Sequence, residues 1–431
     1  MLRHVRCLSI VGGLLASTLS IALAESIALG DAPWPSFRGP DRTGVSTAKD
    51  LLQSWPAEGP KLVWKAAGAG RGYASVAIAD GKLYTLGDGL STVDDKDEYL
   101  TCFDQTDGKQ LWVAKTGEAW ADRKPDWGSS RSTPTIDGQN VYLLTPQGVL
   151  FCFDTSGKER WNKNLISEFG GKKADGWGYS ESVLIDGETL ICTPGGEVNT
   201  MIALNKTTGE KIWSCTREGD RGAGHASVVI SQIGDTKVYV QTTGSGPMGV
   251  RAKDGKLMWT YDIEKTTAVI PTPIVRDDLV FFTVGYDRGG ALLKQVSNSN
   301  GEVEVKEVYP LNRELQNKHG GVVLIGDYVF GDGGDKGIPQ CVDLMTGTVK
   351  WKSRGAGSGS ASVTAADGNL YVRYANGMMT LVKALPNGFE EVGSFKIPDS
   401  GSRPSWSHPV VADGKLYLRE GDTILCYDIR S

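Results

Sequence analysis

Apolar and polar residues alternate along this chain in short runs that break at Asp-Gly or a similar pair and then resume. "SVAIADGKLYTL" (75–86), "SVLIDGETLICT" (182–193), "SVTAADGNLYVR" (362–373) and "HPVVADGKLYLR" (408–419) are examples. Alternation with a period of two is the pattern of a half-buried strand, and a short Gly-containing turn joins two such strands as a hairpin. A second hairpin ends in an aromatic residue: "CFDQTDGKQLW" (102–112), "CFDTSGKERW" (152–161), "ALNKTTGEKIW" (203–213), "RAKDGKLMW" (251–259) and "CVDLMTGTVKW" (341–351). In all five a glycine stands four positions before the tryptophan. The tight turn needs a residue that tolerates positive φ, and the strand after it carries a large ring to pack on the neighbouring sheet.

Trp64, Tyr309 and Phe395 fill the same slot less regularly, which gives eight slots spaced 42 to 52 residues apart. Four strands per repeat at this period predict propeller blades. The last repeat stops at "ILCYDIR" without its aromatic strand, while the first aromatic strand, "KLVWKA" (61–66), has no blade before it. Each supplies what the other lacks. The expected fold is therefore all-β: an eight-bladed propeller over residues 61–431, with the N-terminal strand completing the last blade and removing an open edge.

Two segments precede the ring. Residues 1–24 have a basic start (Arg3, His4, Arg6), an apolar run from Leu8 to Leu23 and small residues at Ala22 and Ala24. This is the layout of a secretory signal cleaved after Ala24, and it predicts a periplasmic or secreted protein with no transmembrane segment after cleavage. Residues 25–60 contain "WPSFRGPDRTGVS" (34–46), whose Trp34, Phe37 and Arg38 suggest an ordered strap laid over the propeller. Losing the leader removes two arginines and no acidic residue, so the formal charge moves from −5 to −7. An acidic chain without a basic block excludes nucleic acid and anionic lipid as natural partners.

The glycine-to-tryptophan hairpin resembles the pyrroloquinoline-quinone (PQQ)-type propeller repeat. The resemblance is closer to a secreted bacterial subgroup of largely unknown role, through "WPSFRGPDRTGVS", "WGYSESVLIDG" (177–187), "IPTPIV" (270–275), "KHGGVVLIGDY" (318–328) and "SWSHPVVADGKLYLR" (405–419). It covers nearly all of the chain after the leader and is specific for fold. For function it implies several classes: quinone-dependent alcohol or sugar dehydrogenases, a propeller lipoprotein that helps assemble outer-membrane barrels, and proteins of unknown role.

Aligning the first strand of each blade gives two rungs around one mouth of the central channel. The outer rung is Tyr73, Arg131, Ser180, His225, Ile270, His319, Ser360 and Trp406; the inner is Ser75, Thr133, Ser182, Ser227, Thr272, Gly321, Ser362 and His408. All three histidines after the leader fall in these rungs, and inter-blade loops add Trp127, Trp177, Tyr179, Glu181, Lys318 and Arg403. A concave site with aromatic walls and convergent polar groups is a ligand-site pattern. Tyr73, Tyr179, His225, Lys318, His319, Arg403 and His408 are the expected ligand-binding residues. Small hydroxyls near a crowded axis also serve packing, and a histidine at a strand start often only bonds a carbonyl.

For a dehydrogenase, the resemblance implies PQQ at this mouth on an aromatic ring, calcium held through Glu, Asn and Asp, a catalytic Asp and a vicinal disulfide. Trp177 or Trp406 then stands as the ring, Glu181 as an oxygen ligand, and Arg131 beside them. The chain has no adjacent cysteines, and the sequence assigns no particular Asn and Asp to the register of a calcium ligand and a catalytic base. No metal site is expected from the histidines, which sit in alternate blades. Cys102, Cys152, Cys341 and Cys426 share one slot of different blades, so buried free thiols are expected in place of disulfides. The reading favoured is a propeller that binds a small molecule, a glycan or a protein at one mouth. A quinone-dependent oxidoreductase is second and an envelope assembly scaffold third. If His408 takes part in recognition, affinity is expected to vary with pH across the imidazole range.

Overall fold

The computed structural model describes Met1 and residues 33–89, 96–120, 127–298, 300–401 and 403–431. The expected leader lies outside the described residues. The strands form eight antiparallel four-stranded sheets arranged as the blades of a ring. Blades 1 to 7 are continuous in sequence and begin their inner strands near residues 77, 135, 184, 229, 274, 322 and 361. Blade 8 takes three strands from residues 410–428 and its outermost from Lys61–Ala67, with Trp64 opposite Cys426. The N-terminal strand thus closes the ring as expected.

The glycine and the tryptophan of each hairpin work in different blades. The Trp64 ring lies where a Cβ on Gly108 would come within 2.6 Å, and the pairs Trp112/Gly157, Trp161/Gly209 and Trp213/Gly255 repeat this at 2.8, 2.9 and 2.5 Å. These glycines have φ between +71° and +90°, so the turn and the ring above it both require the missing side chain. Indole N–H groups then tie blade to blade. Trp64, Trp112, Trp161 and Trp213 donate to the carbonyls of Gln105, Thr155, Lys206 and Ala252 at 3.1–3.2 Å. Small residues face each indole within its own blade: Cys102 opposite Trp112, Cys152 opposite Trp161, Cys341 opposite Trp351. All six described cysteines are free and buried.

The core is divided along the same lines. Each blade interface has its own apolar cluster, such as Leu150, Leu190 and Leu204 between blades 2 and 3, or Leu381, Leu418 and Leu425 between blades 7 and 8. Among the described residues, no helix is long and apolar enough to cross a membrane.

Among the described residues the segment before the ring is ordered, and its second half crosses blades 7 and 8, where Leu51 N donates to Asp367 Oδ2, Leu52 N to the Ile429 carbonyl and Trp55 N to the Val392 carbonyl. Its first half enters the channel. Trp34 bridges Ile78 of blade 1, the Pro35 carbonyl accepts from Ile136 N of blade 2, and Val45 bridges Ala365 of blade 7. The Arg42 guanidinium reaches the carbonyls of Ser182 and Val183 of blade 3, and Arg38 donates to the Val322 carbonyl of blade 6 at 2.5 Å. Arg38 and Arg42 take positive φ values of 67° and 57°, which fold the segment into a compact knot. Trp34 is 3% exposed, Arg38 4% and Arg42 5%. Residues 34–46 therefore form a plug below the two rungs, and the channel becomes a cup open at one end.

Candidate functional site

The inner rung has a structural role in most of the ring. Ser75 N donates to Thr133 Oγ1, Thr133 N to Ser182 Oγ, Ser182 N to Ser227 Oγ and Ser227 N to Thr272 Oγ1, at 2.9–3.1 Å. These hydroxyls satisfy the strand-entrance N–H groups of the preceding blade, which would otherwise be orphaned near the axis. The belt covers blades 1 to 5 and stops at Gly321, Ser362 and His408. Ser362 Oγ and His408 Nδ1 are buried without a partner. This gap is where Arg38 of the plug comes in.

The cup has a volume of about 430 Å³. Of the residues expected at the mouth, Tyr73, Arg131, Trp177, His225, Lys318, His319, Trp406 and His408 line it. Phe37 and Arg38 form its floor, and Trp127, Tyr286 and Asp335 complete the wall. His319 stacks on Trp406 with ring centroids 4.4 Å apart, Tyr73 also packs on Trp406 at 5.1 Å, and Phe37 meets His408 edge-on at 5.0 Å. Arg131 lies over the Tyr73 ring and donates to the Trp177 carbonyl at 3.1 Å.

Three of the expected residues do not face the cup. Glu181 is buried behind the wall, where it accepts from Thr193 N at 2.8 Å and from the Gln241 amide at 3.3 Å. Tyr179 is packed between blades 2 and 3 and donates to the Pro194 carbonyl. Arg403 lies 3.5 Å from Ser129 Oγ, outside the lining. A period-two strand turns alternate residues away from the axis, so Tyr179 and Glu181 point opposite to Ser180 and Ser182.

Two His–Ser–Asp clusters face each other across the cup. In the first, His225 Nε2 lies 2.9 Å from Asp175 Oδ2, and its Nδ1 lies 2.7 Å from Ser180 Oγ. Burial pushes the His225 imidazole down to about 4. Burial also opposes ionisation of Asp175, but the facing His225 and Lys173 outweigh it and hold that carboxyl at about 2. A neutral ring with Nε2–H donated to the carboxylate leaves Nδ1 to accept the Ser180 hydroxyl proton. In the second, Ser360 donates to Asp335, and His319 Nδ1 lies 2.8 Å from Ser360 Oγ. The Ser360 proton is committed to the carboxylate, so His319 Nδ1 carries a hydrogen and its Nε2 offers a lone pair. Lys318 pairs with Asp335.

The His408 carbonyl accepts from Ser75 Oγ at 2.8 Å, but its ring Nδ1 has no partner among the described residues, and burial, then Arg38 and Arg373, push the imidazole down to about 3. In the free protein this favours the neutral ring, so a change of affinity with pH at His408 requires a bound anion that raises it.

The metal-bound quinone does not fit these residues. Among the described residues, no group of three or more His, Cys, Asp or Glu is placed to hold an ion. Glu181, the expected oxygen ligand, has both oxygens engaged by Thr193 and Gln241 behind the wall.

Comparison with known proteins agrees with the architecture. The outer membrane protein assembly factor BamB of Bordetella pertussis is 22% identical over 243 residues, covering 54% of this chain and 55% of that protein. The chain thus spans about half the length of the curated relative it matches. The crystal structure of BamB from Moraxella catarrhalis superposes with a TM-score of 0.56 at 15% identity, covering 83% of this chain and 94% of that one. A europium-containing methanol dehydrogenase superposes with a TM-score of 0.61 at 10% identity, covering 90% and 89%. At such identities these two structures speak for the fold. Residues 96–353 match the model of a PQQ-type repeat family described as "Outer membrane protein assembly factor BamB", and with more than half of its length matched the chain belongs to that family.

Proposed function

We propose that this protein is an extracytoplasmic binding protein that holds a small polar molecule with one or two rings in the plugged channel. The observation that carries the reading is the plug itself. It turns an axial channel into a blind cup of about 430 Å³ with aromatic walls and two hydrogen-bonded His–Ser–Asp clusters. That volume falls in the range of roughly 300–1,000 Å³ typical of small-molecule pockets. Trp177 and the Trp406 ring, packed between His319 and Tyr73, give an aromatic wall, while Ser180 and the His319 Nε2 lone pair offer acceptors. This combination suits a saccharide ring, with one apolar face and a rim of hydroxyls. The cup is too narrow a target for a folded protein partner.

The test is titration of the purified protein with a panel of mono- and disaccharides, and with PQQ in the presence and absence of calcium, followed by tryptophan fluorescence. Trp127, Trp177 and Trp406 line the cup, so occupancy should shift their emission. Saturable binding of a saccharide, weakened at least tenfold in Trp406→Ala, is expected. Calcium-dependent binding of the quinone alone would replace this reading with the dehydrogenase. Absence of any saturable response would remove it.

The family description favours a second reading, an assembly scaffold for envelope proteins. A scaffold needs no group inside the cup. Under that reading Ser180→Trp, which fills the cup, still complements a deletion strain; under the binding reading it does not.

A further inference from the structure

The floor of the cup carries two polar groups that the protein leaves without partners. Arg38 uses Nε and Nη2 to bind the carbonyls of Arg42, Thr43 and Val322, at 3.3, 2.7 and 2.5 Å. Its Nη1 makes no hydrogen bond to a described residue, and no described carboxylate lies within ion-pair distance of the guanidinium. Beside it stands His408 with Nδ1 unsatisfied. The wall is cut back at this point. A Cβ on Gly321 would lie 3.0 Å from Arg38 Nη1 and 3.7 Å from His408 Cε1, so the glycine in the rung makes room for both. Arg38 is 4% exposed and held only by carbonyl dipoles, and an anion beside Nη1 would compensate a charge that burial otherwise makes costly.

We infer that Arg38 Nη1 and His408 form a carboxylate subsite, and that the ligand is a cyclic hydroxylated monocarboxylate of the hexuronic acid class, bound acid end down. This rests on the cup being the binding site and adds the charge and orientation of what it binds. The guanidinium meets one carboxylate oxygen through a charge-assisted hydrogen bond. The second oxygen, or the neighbouring hydroxyl, reaches the His408 imidazole, which supplies either a donor or an acceptor according to its tautomer. Above this level the sugar ring lies against the aromatic wall that Trp177 and Trp406 share, and its hydroxyls face Ser180 and His319. The plug blocks passage through the ring, so a polymer can enter only by its end.

The experiment compares D-galacturonate and D-glucuronate with D-galactose, D-glucose and the methyl esters of both acids, by calorimetry on the full protein at low salt. The acid should bind at least tenfold tighter than its ester and its neutral sugar, and a digalacturonate should bind no more than threefold tighter than the monomer. In Arg38→Gln this preference should fall to less than threefold. Arg38 also anchors the plug, so the variant's melting curve is measured first. If it does not fold, the ester series on the parent protein decides. Neutral sugars binding within threefold of the acids would overturn the carboxylate subsite while leaving the saccharide cup standing. No binding by any sugar would remove both. An acid preference that survives in folded Arg38→Gln would show that the anion is met by another cation.

Discussion

At the scale of single residues, the sharpest contrasts are between neighbours that point opposite ways. Glu181 sits between two cup-lining serines yet is buried against Thr193 and Gln241, and burial pushes its carboxyl up to about 7 despite the hydrogen bonds from Thr193. A folded-state value above the unfolded one means that Glu181 contributes stability that is fully present below about pH 4.5 and lost as pH rises through 7. Glu181→Gln keeps an acceptor for Thr193 and removes this loss. Its melting temperature relative to the parent should therefore rise between pH 4.5 and pH 8, by the equivalent of at most about 3 kcal/mol. A constant difference across that range would mean that Glu181 is not held neutral by its surroundings. Sequence alignment alone placed Glu181 at the mouth because it tracks register only to the nearest residue, and a slip of one position exchanges cup for core. His408, by contrast, was legible: a bulky imidazole in a rung of small hydroxyls marked the place where the ring departs from its own rule. What no alignment of blades could reveal was the reason for the departure, since Arg38 lies outside the repeat and meets His408 only in three dimensions.

At the scale of the hairpin, the repeat was readable because its two marker residues are physically coupled. The glycine gives both the positive φ of its turn and the space into which the preceding blade's indole settles, so neither can change alone. Gly209→Ala faces both penalties, at φ +71° and 2.9 Å from the Trp161 ring. A cost of about 2 kcal/mol is expected. Trp161→Ala should cost about 2–3 kcal/mol, since the ring is only partly buried. The pair together should cost less than the sum, by about 1 kcal/mol, because without the indole only the backbone strain of the substituted turn is left. Urea melts of the four proteins check this, and strict additivity would show that the ring and the turn do not touch. The hydroxyl rung taught the opposite lesson. Its regularity supported the alignment of the blades, and four of its side chains serve to accept N–H groups from the blade before, a structural need that carries no information about a ligand.

For the whole molecule, closure depends on residues from the two ends of the chain. Lys61–Ala67 covers the edge of Thr423–Asp428, and Trp64 seats against Gly108 of blade 1. Deletion through Lys65 should expose that edge and lead to aggregates on size-exclusion chromatography, whereas deletion of residues 25–32 should leave a monomer with unchanged melting. A monomeric, equally stable product of the longer deletion would show that the ring closes by other contacts. The propeller was legible from the count of hairpins and the two incomplete ends. The plug was not, because "WPSFRGPDRTGVS" has no period and its course is set by carbonyls of blades far along the chain.

The shared last blade also bears on how such a chain is made. Synthesis runs from the N-terminus, so the strand that closes the ring is made before the other strands of the ring and must wait, unpaired, until Thr423–Asp428 has been made. Blades 1 to 7 can each pair from local sequence as they appear, but the closing pair has the largest sequence separation of any strand pair among the described residues, and such contacts form late. The cup is also finished late, since the plug is held by blades 6 and 7 as well as by blades 1 to 3. A chain interrupted anywhere before residue 423 keeps two open edges and a waiting N-terminus exposed to proteases. Only a chain that extends through Asp428 can cover them, so the architecture makes the last strand of blade 8 a condition of the ring's survival.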